Sequence, residues 1–377
     1  MNMITGFDAK RFFNNNTGLG NYSRSVIAGL AQYYPKNEYL LYTPDVSEQN
    51  YPAFIKEHSS IKIIKSAALI KSLWRSFGIA RELKKDNVEL YHGLSNEIPT
   101  GLRKTNIRAV VTIHDLIFRI LPATYPVIDR RIYNLKFRYA CENADHIIAI
   151  SENTRKDIIE HYKIEHRKVS VAYQSADPLF FRQQHKSSVD KILSSLDLPS
   201  EYLLYVGSIT ERKNLLVLLE AMYRIPESKR IPLLIVGKGA EYRKKVESFI
   251  KEKRLNNSII WQDNLSDNFQ LQAIYQHAAA FIYPSRYEGF GIPVIEALLS
   301  GTPVIASDAS SIPEAGGPDS LYFNADDPEE LSDKIITVLN DRELRKSMAD
   351  RGLIYANENF NLKTTTGRLM EIYKEVC

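Results

Sequence analysis

The sequence predicts an α/β protein made of two Rossmann-like domains that face each other, each built on a parallel sheet. The chain has 377 residues, more than a single hydrophobic core usually organises. A strand, a glycine-containing loop and a helix open the chain, and the same alternation restarts after residue 200. Several candidate strands are short, continuous apolar runs, which are typical of parallel strands buried on both faces.

The composition excludes several classes of protein. Hydrophobic residues make up 44% of the chain and charged residues 25%, as in ordinary soluble globular proteins. A net charge of +4 is too small to predict binding to nucleic acid. The two cysteines, Cys141 and Cys377, predict no disulfide framework, so we expect a reducing, cytoplasmic location. The first residues show no signal-peptide pattern, and no apolar run reaches the roughly 18 residues of a membrane span.

The first βα unit resembles the opening of a nucleotide-binding domain. A strand is followed by a polar loop ending in TGLGNYSRS and by a helix expected over Tyr22–Tyr34. Gly18 and Gly20 fit the first two positions of the dinucleotide pattern G-x-G-x-x-G, but Ser23 stands at the third. Asp45, after the second predicted strand, leaves a dinucleotide-dependent dehydrogenase open as an alternative.

The segment Leu69–Lys85 predicts a basic amphipathic helix, with its apolar residues near one face. An ordinary domain helix that packs on the sheet is the simpler interpretation. The alternative is contact with an anionic membrane surface, which would place the protein peripherally on the inner face of the membrane.

A buried strand predicted over Ala109–Ile113 ends directly before His114. Open α/β sheets bind ligands at this edge, although a lone histidine is more often structural. The following stretch, Leu116–Tyr139, is rich in arginine and aromatic residues. Two interpretations stay open for this stretch. It shapes the side of the site that binds an acceptor molecule, or its long side chains cover apolar surface.

In the second half, a strand over Tyr202–Val206 leads into the loop GSITERKN. Arg212 and Lys213 lie where this loop meets a helix, and adjacent cations beside a helix start suit a diphosphate. A pair of solvated surface charges is the alternative.

The stretch YPSRYEGFGIPVIEALLSGTP, residues 283–303, carries the most specific signal. Its glycine loop precedes a helix that Pro293 opens. Such a helix start presents unpaired N–H groups and partial positive charge, which suit an anion. Glu288 and Glu296, with seven residues between them, are suited to accept hydrogen bonds from hydroxyls, although Glu296 alone could be an ordinary helix residue. An anion and hydroxyls in one cleft describe a sugar nucleotide.

The motif E-G-F-G-I-P-x-x-E-A, followed by G-T-P-V-I-A-S, resembles the retaining glycosyltransferases of family 4, which have the GT-B fold. The stretches T-G-L-G-N-Y, T-I-H-D-L and R-K-N resemble further motifs of that family. The resemblance implies an acceptor-side domain over 1–178 with 358–377, and a donor-binding domain over 179–357. It also implies a C-terminal helix that crosses back to the first domain.

The resemblance further implies roles for single residues. Glu296 would bind the nucleotide ribose, and Arg212 and Lys213 the diphosphate. Glu288 and His114 would lie at the transferred sugar, and with the two cations they form the expected catalytic set. The remaining donor-site residues implied are Gly18, Gly20, Gly207, Leu265, Gly289, Phe290, Gly291 and Ile292.

Three positions depart from the family pattern. Asp263 stands where the family usually has a glycine turn that cradles the base, so base recognition stays open. Lys10 and Asn21 replace two usual arginines, which leaves the contribution of the first glycine stretch open.

The implied function is transfer of a sugar, with retention, from a nucleotide-diphosphate sugar to a glycan or lipid-linked acceptor in cell-surface polysaccharide synthesis. The first-domain motifs favour GDP-mannose. The sequence contains no D-x-D, H-x-H or H-E-x-x-H, so we expect neither a metal nor another cofactor. Two alternatives remain: a nucleotide-sugar epimerase of similar fold, and a non-catalytic nucleotide-sugar-binding protein.

Overall fold

The chain divides into two compact units. The computed structural model describes residues 2–15, 17–44, 46, 51–66, 74–265 and 267–377, without the side chains of residues 76 and 77. The first unit comprises Met1–Ser175 and Leu362–Cys377, and the second comprises Ala176–Asn361. Asp45, on which the dehydrogenase alternative depended, and residues 69–73 of the predicted basic helix lie outside the described residues.

The first unit contains a seven-stranded sheet in which each neighbouring pair is parallel, as predicted. The strand order is β3-β2-β1-β4-β5-β6-β7. The strands are β1 (Ile4–Asp8), β2 (Glu38–Thr43), β3 (Ile61–Lys65), β4 (Leu90–Gly93), β5 (Arg108–Ile113), β6 (His146–Ala149) and β7 (Val169–Val171).

Helices cover both faces of this sheet. Val110 and Ile148 belong to one apolar cluster, whereas their chain neighbours Val111 and Ile147 belong to another. Successive strand residues point to opposite faces, so the continuous apolar runs reflect burial on both sides. The helices of the first 175 residues are α1 (Lys10–Asn14), α2 (Gly18–Tyr33), α3 (Phe54–Glu57), α4 (Ile79–Lys85), α5 (Ile117–Ile120), α6 (Val127–Asn143) and α7 (Glu152–Tyr162).

The second unit contains a six-stranded parallel sheet with the order β10-β9-β8-β11-β12-β13. Its strands are β8 (Leu203–Val206), β9 (Leu233–Val236), β10 (Ile259–Gln262), β11 (Ala280–Tyr283), β12 (Val304–Ser307) and β13 (Leu321–Phe323). The order runs outward in both directions from the first strand, which is the doubly wound Rossmann arrangement. The direction of winding reverses between β8 and β11, and open α/β sheets bind ligands at that point.

The remaining helices are α8 (Lys186–Ser195), α9 (Leu215–Arg224), α10 (Glu241–Glu252), α11 (Asn268–His277), α12 (Ile292–Leu299), α13 (Ile312–Gly316), α14 (Pro328–Asn340), α15 (Arg342–Phe360) and α16 (Leu362–Val376). The last of these, α16, belongs to the first unit, which confirms the predicted return of the C-terminal helix. Its Tyr373 hydroxyl lies 2.5 Å from Nδ1 of the buried His92 on β4.

The prediction of a glycine loop at Gly18 and Gly20 is wrong. Helix α2 begins at Gly18, four residues before the expected start at Tyr22, so both glycines lie in its first turn. A Cβ on Gly20 would approach the carbonyl oxygen of Asn15 to 1.7 Å. The glycine is therefore required by close backbone packing, and not by an open loop.

The described part of Leu69–Lys85 is a π-helical turn, Trp74–Gly78, followed by α4. Trp74, Ile79 and Leu83 are buried in the core of the first unit. The Trp74 indole N–H also donates to the Glu82 carboxylate at 2.7 Å. These apolar side chains thus serve the domain core. Among the described helices, none combines the length and apolar character needed to cross a membrane.

Candidate functional site

Two loops of the second unit meet at the point where its sheet reverses direction. The loop at 207–214 follows β8, and the loop at 284–291 follows β11. These strands are parallel neighbours, so their carboxyl ends lie at the same edge of the sheet. Helix α12 then begins at Ile292 with Pro293 in its first turn, as predicted.

The two loops bring together a cluster of three charged side chains, Arg212, Lys213 and Glu288, here called the charge cluster. Oε1 of Glu288 lies 2.7 Å from Nζ of Lys213 and 2.7 Å from Nη1 of Arg212. The Ser285 hydroxyl donates to the same oxygen. Lys213 also donates to the Tyr283 hydroxyl at 2.6 Å. One carboxylate therefore accepts from two cations and a hydroxyl.

Two of the three side chains in the charge cluster are almost inaccessible to solvent, and the third, Arg212, has a side chain that is 20% exposed. Lys213 and Glu288 each have 8% of their surface exposed. Burial alone would raise the pKa of Glu288. The positive charges of Lys213 and Arg212, together with hydrogen bonds from Lys213 and Ser285, outweigh the effect of burial and lower the pKa to about 2. Glu288 is therefore ionised at neutral pH. Two cations against one carboxylate give the charge cluster an excess of positive charge.

Backbone hydrogen bonds hold the charge cluster in place. The Arg212 guanidinium donates to the Tyr287 carbonyl at 2.6 Å, and the Arg286 N–H donates to the Arg212 carbonyl at 2.9 Å. Asn214 adopts a positive φ of 56° and donates its side-chain amide to the Ala325 carbonyl at 2.7 Å. The two cations are thus oriented by the loops themselves, which is the condition for electrostatic preorganisation.

Two glycines shape these loops. Gly207 (φ +155°) and Gly291 (φ +128°) adopt backbone conformations that favour glycine. A Cβ on Gly207 would lie 3.8 Å from the Lys213 side chain, which places Gly207 beside the charge cluster. The Phe290 ring is buried 5.5 Å from the ring centroid of Phe360, so its side chain is committed to packing.

Gly289 and Ile292 complete the predicted glycine stretch. Gly289 lies between Glu288 and Phe290 in the loop, and Ile292 is the first residue of α12. Both therefore lie at the helix start that the sequence assigned to an anion.

Glu296 lies on α12 in a different environment. It is half-buried, and the hydroxyl of the fully buried Tyr275 donates to its Oε2 at 3.3 Å. Burial raises the pKa of Glu296 to about 8. The negative charge of Asp177 also raises it, whereas the hydrogen bond from Tyr275 lowers it. In this conformation Glu296 is mainly protonated at neutral pH.

An ion pair between Arg243 and Asp263 lies at the carboxyl end of β10, where the family resemblance implies a glycine turn. Both Asp263 carboxylate oxygens accept from Nη1 of Arg243, at 2.7 and 2.8 Å. The guanidinium carbon of Arg243 lies 4.2 Å from the centroid of a Trp261 ring. Leu265 follows two residues later and is half-buried. The carboxylate of Asp263 is therefore engaged within the protein.

His114, Gly18 and Gly20 belong to the first unit. His114 lies at the carboxyl end of β5. Its Nε2 lies 2.9 Å from the Leu94 carbonyl, so Nε2 carries the proton and Nδ1 is an acceptor. Burial lowers the pKa of His114 to about 4, so the imidazole is neutral at neutral pH. The role of His114 at the transferred sugar stays a prediction.

Sequence reasoning missed three side chains of this region: Tyr283, Ser285 and Tyr275. Tyr283 and Ser285 stand at the carboxyl end of an apolar strand, a position that could have marked them. Tyr275 lies on α11, where no local pattern connects it to Glu296.

Comparisons with known proteins agree with this architecture. The family model for glycosyl transferases group 1 matches residues 190–353, and the model for glycosyltransferase family 4 matches residues 17–178. The O-antigen chain mannosyltransferase B of Escherichia coli is 25% identical over 372 residues, which cover 95% of this chain and 96% of that protein.

Two solved structures share the fold. Sucrose-phosphate synthase from Thermosynechococcus elongatus superposes with a TM-score of 0.77 at 20% identity, over 99% of this chain and 98% of that chain. HepE from Anabaena, in complex with UDP, superposes with a TM-score of 0.75 at 16% identity, over 100% of both chains. The chain therefore has the GT-B fold and belongs to the glycosyltransferases, with a family 4 region over residues 17–178 and a group 1 region over residues 190–353.

Proposed function

We propose that this glycosyltransferase moves mannose from GDP-mannose, with retention and without a metal ion, to a glycan or lipid-linked acceptor in cell-surface polysaccharide synthesis. The mannosyltransferase name of its E. coli relative supports the sugar and the pathway class. The charge cluster at the sheet's reversal point is the observation that carries the proposal. A cytoplasmic location at the inner face of the membrane follows from a lipid-linked acceptor.

Arg212 and Lys213 would bind the donor diphosphate. The planar guanidinium of Arg212 can bind two phosphate oxygens, and the ammonium of Lys213 acts as a point charge. Lys213 is buried and the Arg212 side chain is only 20% exposed, so their attraction for an anion is weakly screened by solvent. The excess positive charge of the cluster supports an anionic ligand even while Glu288 stays ionised.

Glu296 would hold the ribose, and Glu288, Gly289–Gly291 and His114 would hold the sugar. A carboxylate accepts hydrogen bonds from two neighbouring hydroxyls, which suits a ribose. The neutral imidazole of His114 can accept a hydrogen bond from a sugar hydroxyl through Nδ1.

Retention follows from a reaction on a single face of the sugar. The bond from the anomeric carbon to the diphosphate oxygen breaks, and the acceptor oxygen forms its bond on the same face. The acceptor proton passes to the leaving phosphate oxygen. Arg212 and Lys213 stabilise the charge that grows on that diphosphate, and no protein nucleophile is required.

A thermal-shift screen with nucleotide sugars tests the donor assignment, because a ligand that binds the native state raises the melting temperature. We expect GDP-mannose to raise it more than UDP-glucose or ADP-glucose. Product analysis by NMR should then show the anomeric configuration of the donor. Stabilisation by UDP-glucose alone would contradict the choice of guanine and mannose. Conversion of the donor to an epimer without acceptor would identify the alternative enzyme.

Metal independence is tested by transfer in excess EDTA. The absence of D-x-D from the sequence, together with the Arg212–Lys213 pair, motivates the expectation that activity is retained. Complete loss in EDTA that magnesium or manganese restores would overturn this part of the proposal.

A further inference from the structure

Helix α6, Val127–Asn143, carries an apolar strip that faces solvent. Ile128, Ile132 and Leu135 are 72%, 45% and 67% exposed, and their spacing of four and three residues places them on one helix face. Val127 and Tyr133 on the same helix are exposed as well. Of the nine large hydrophobic residues that are exposed in the described parts of the chain, these are five. We call this set the α6 strip.

Folding of the first unit does not account for the α6 strip. The same helix already has a core-facing side, on which Phe137, Ala140 and Cys141 are buried. The helix is thus apolar on two sides, and only one of them packs against the sheet. A concentrated exposed apolar surface of this kind is typical of an interaction site.

Cations surround the α6 strip. Residues 127–138 contain four cations, Arg130, Arg131, Lys136 and Arg138, against the single carboxylate Asp129. Arg131 and Arg138 are exposed, and Lys136 is half-exposed while it pairs with Glu97 at 3.1 Å. The surroundings therefore favour an anionic partner.

We propose that the α6 strip docks onto an anionic membrane surface, with Ile128, Ile132 and Leu135 inserted between lipid headgroups and the flanking arginines on lipid phosphates. A helix with an apolar face and basic flanks lies in the plane of the interface. Each cation near an anionic leaflet adds to the attraction.

A second copy of the chain fits the α6 strip less well. A stable protein interface buries roughly 800 Å² per partner. Five partly exposed side chains on one convex helix provide much less than that, and two copies of this face would bring like charges together. A bilayer is flat and anionic, so it matches both the shape and the charge.

The docking surface differs from the one that the sequence suggested. Trp74, Ile79 and Leu83 of that segment are buried, whereas the α6 strip is exposed. The membrane proposal therefore rests on α6 and does not depend on the identity of the sugar donor.

Vesicle flotation of the full chain tests the proposal. We expect binding to vesicles of phosphatidylcholine with phosphatidylglycerol, and little binding to phosphatidylcholine alone. Ile128→Asn with Leu135→Asn should weaken binding by roughly tenfold or more, because each buried aliphatic side chain contributes that order. Arg131→Gln should weaken it by roughly fivefold, and high salt should reduce it further.

Matched controls come from the second unit. Ile354 on α15 is 57% exposed, and Arg342 on the same helix is exposed. Ile354→Asn and Arg342→Gln should leave flotation unchanged, and all variants should keep the wild-type melting temperature since they alter surface positions. Equal flotation of the Ile128/Leu135 variant and the wild type would overturn the proposal. So would a dimer in sedimentation velocity that this variant abolishes while vesicles bind neither protein.

Discussion

Glu288 and Glu296 share a residue type and a motif, yet the protein shifts their pKa values in opposite directions. Glu288 is buried between Arg212 and Lys213, which lower its pKa to about 2. Glu296, eight positions later, is half-buried beside the hydroxyl of Tyr275, and its pKa is raised to about 8. One carboxylate is ionised under all physiological conditions, and the other gains its charge only near pH 8.

The difference shows that a sequence motif fixes residue types but not their protonation. Burial favours the neutral form of both glutamates, and cations within hydrogen-bond distance reverse that preference for Glu288 alone. Glu288 therefore serves as a fixed counter-ion that orients two cations. Glu296 is available to ionise when hydroxyls donate to it, which is the property that a ribose site needs.

The largest effect is expected from replacing each glutamate by its neutral isostere. Glu288→Gln leaves the buried Lys213 and the partly buried Arg212 without their carboxylate, which should cost about 3 kcal/mol of unfolding free energy. For a unit of this size that corresponds to a fall in melting temperature of roughly 6–12 °C. Glu296→Gln should instead raise the melting temperature at pH 7, because the unfolded wild-type chain ionises Glu296 there while the folded protein still holds its proton. Differential scanning calorimetry of both variants measures the contrast.

The pH dependence of the same variants follows from the two shifts. The stabilisation from Glu288 is fully present above its ordinary pKa of 4.5 and is lost as pH falls towards 2. The folded protein holds the Glu296 proton up to about pH 8, whereas the unfolded chain releases it near 4.5, so stability falls as pH rises between these values. Glu296→Gln should therefore melt above the wild type at pH 7, and by a larger margin at pH 9. An equal loss for both variants at pH 7 would contradict the comparison.

The next largest effect concerns the cation that Glu288 orients. Lys213→Ala should lower kcat roughly a hundredfold or more, because the ammonium is proposed to stabilise charge that grows on the leaving diphosphate. The matched control is Lys229→Ala, an exposed lysine of the same unit, which should keep wild-type kcat. Near-normal kcat in a folded Lys213→Ala protein would show that this lysine does not act on the reacting charge.

Local patterns predicted the fold because each strand and helix carries its own signal. Apolar runs, helix-opening prolines and the repeated alternation predicted the two parallel sheets, whereas the return of the C-terminal helix was implied by the family resemblance. Gly18 and Gly20 led to the wrong prediction of a loop, because glycine occurs both in open loops and where two backbone segments approach closely. Gly20 lies in close contact with the backbone of Asn15. Sequence alone cannot separate these uses.

The sequence singled out Arg212, Lys213 and Glu288, but it did not predict their mutual contacts. Glu288 and its cations lie 75 and 76 positions apart and meet because β8 and β11 are neighbours in the sheet. The same limit applies to α6, whose apolar residues could all have been core positions. Which apolar face of a helix is exposed depends on which face packs against the sheet, and that is decided only in the folded unit.

A smaller effect is expected for donor binding through Glu296. Glu296→Ala should raise the donor KM roughly 10- to 150-fold, the equivalent of about 1.5–3 kcal/mol for hydrogen bonds to a charged group, with little change in kcat. In the wild type, the donor KM should fall as pH rises through about 8, because the ionised carboxylate is the better acceptor. Steady-state kinetics from pH 6.5 to 9 measures both. A large loss of kcat at saturating donor would assign Glu296 to the chemistry itself.

The smallest effect should come from Tyr275, which touches Glu296 and is not proposed to touch the donor. Its hydroxyl favours the ionised carboxylate, so Tyr275→Phe should raise the pKa of Glu296 further. At pH 7 the donor KM should then increase roughly two- to tenfold, as expected for one modest hydrogen bond, with kcat unchanged.

The pH profile distinguishes this positioning role from simple packing. In Tyr275→Phe the midpoint of the donor KM profile should move to higher pH than in the wild type, since the proton on Glu296 is held more tightly. Tyr202 provides the control: it is equally buried, and its hydroxyl donates to the Ile274 carbonyl at 2.8 Å, away from any carboxylate. Tyr202→Phe should therefore leave the midpoint in place even if it lowers the melting temperature. If both phenylalanine variants shift KM without moving the midpoint, Tyr275 supports the helix packing alone, and the protonation of Glu296 is set by burial.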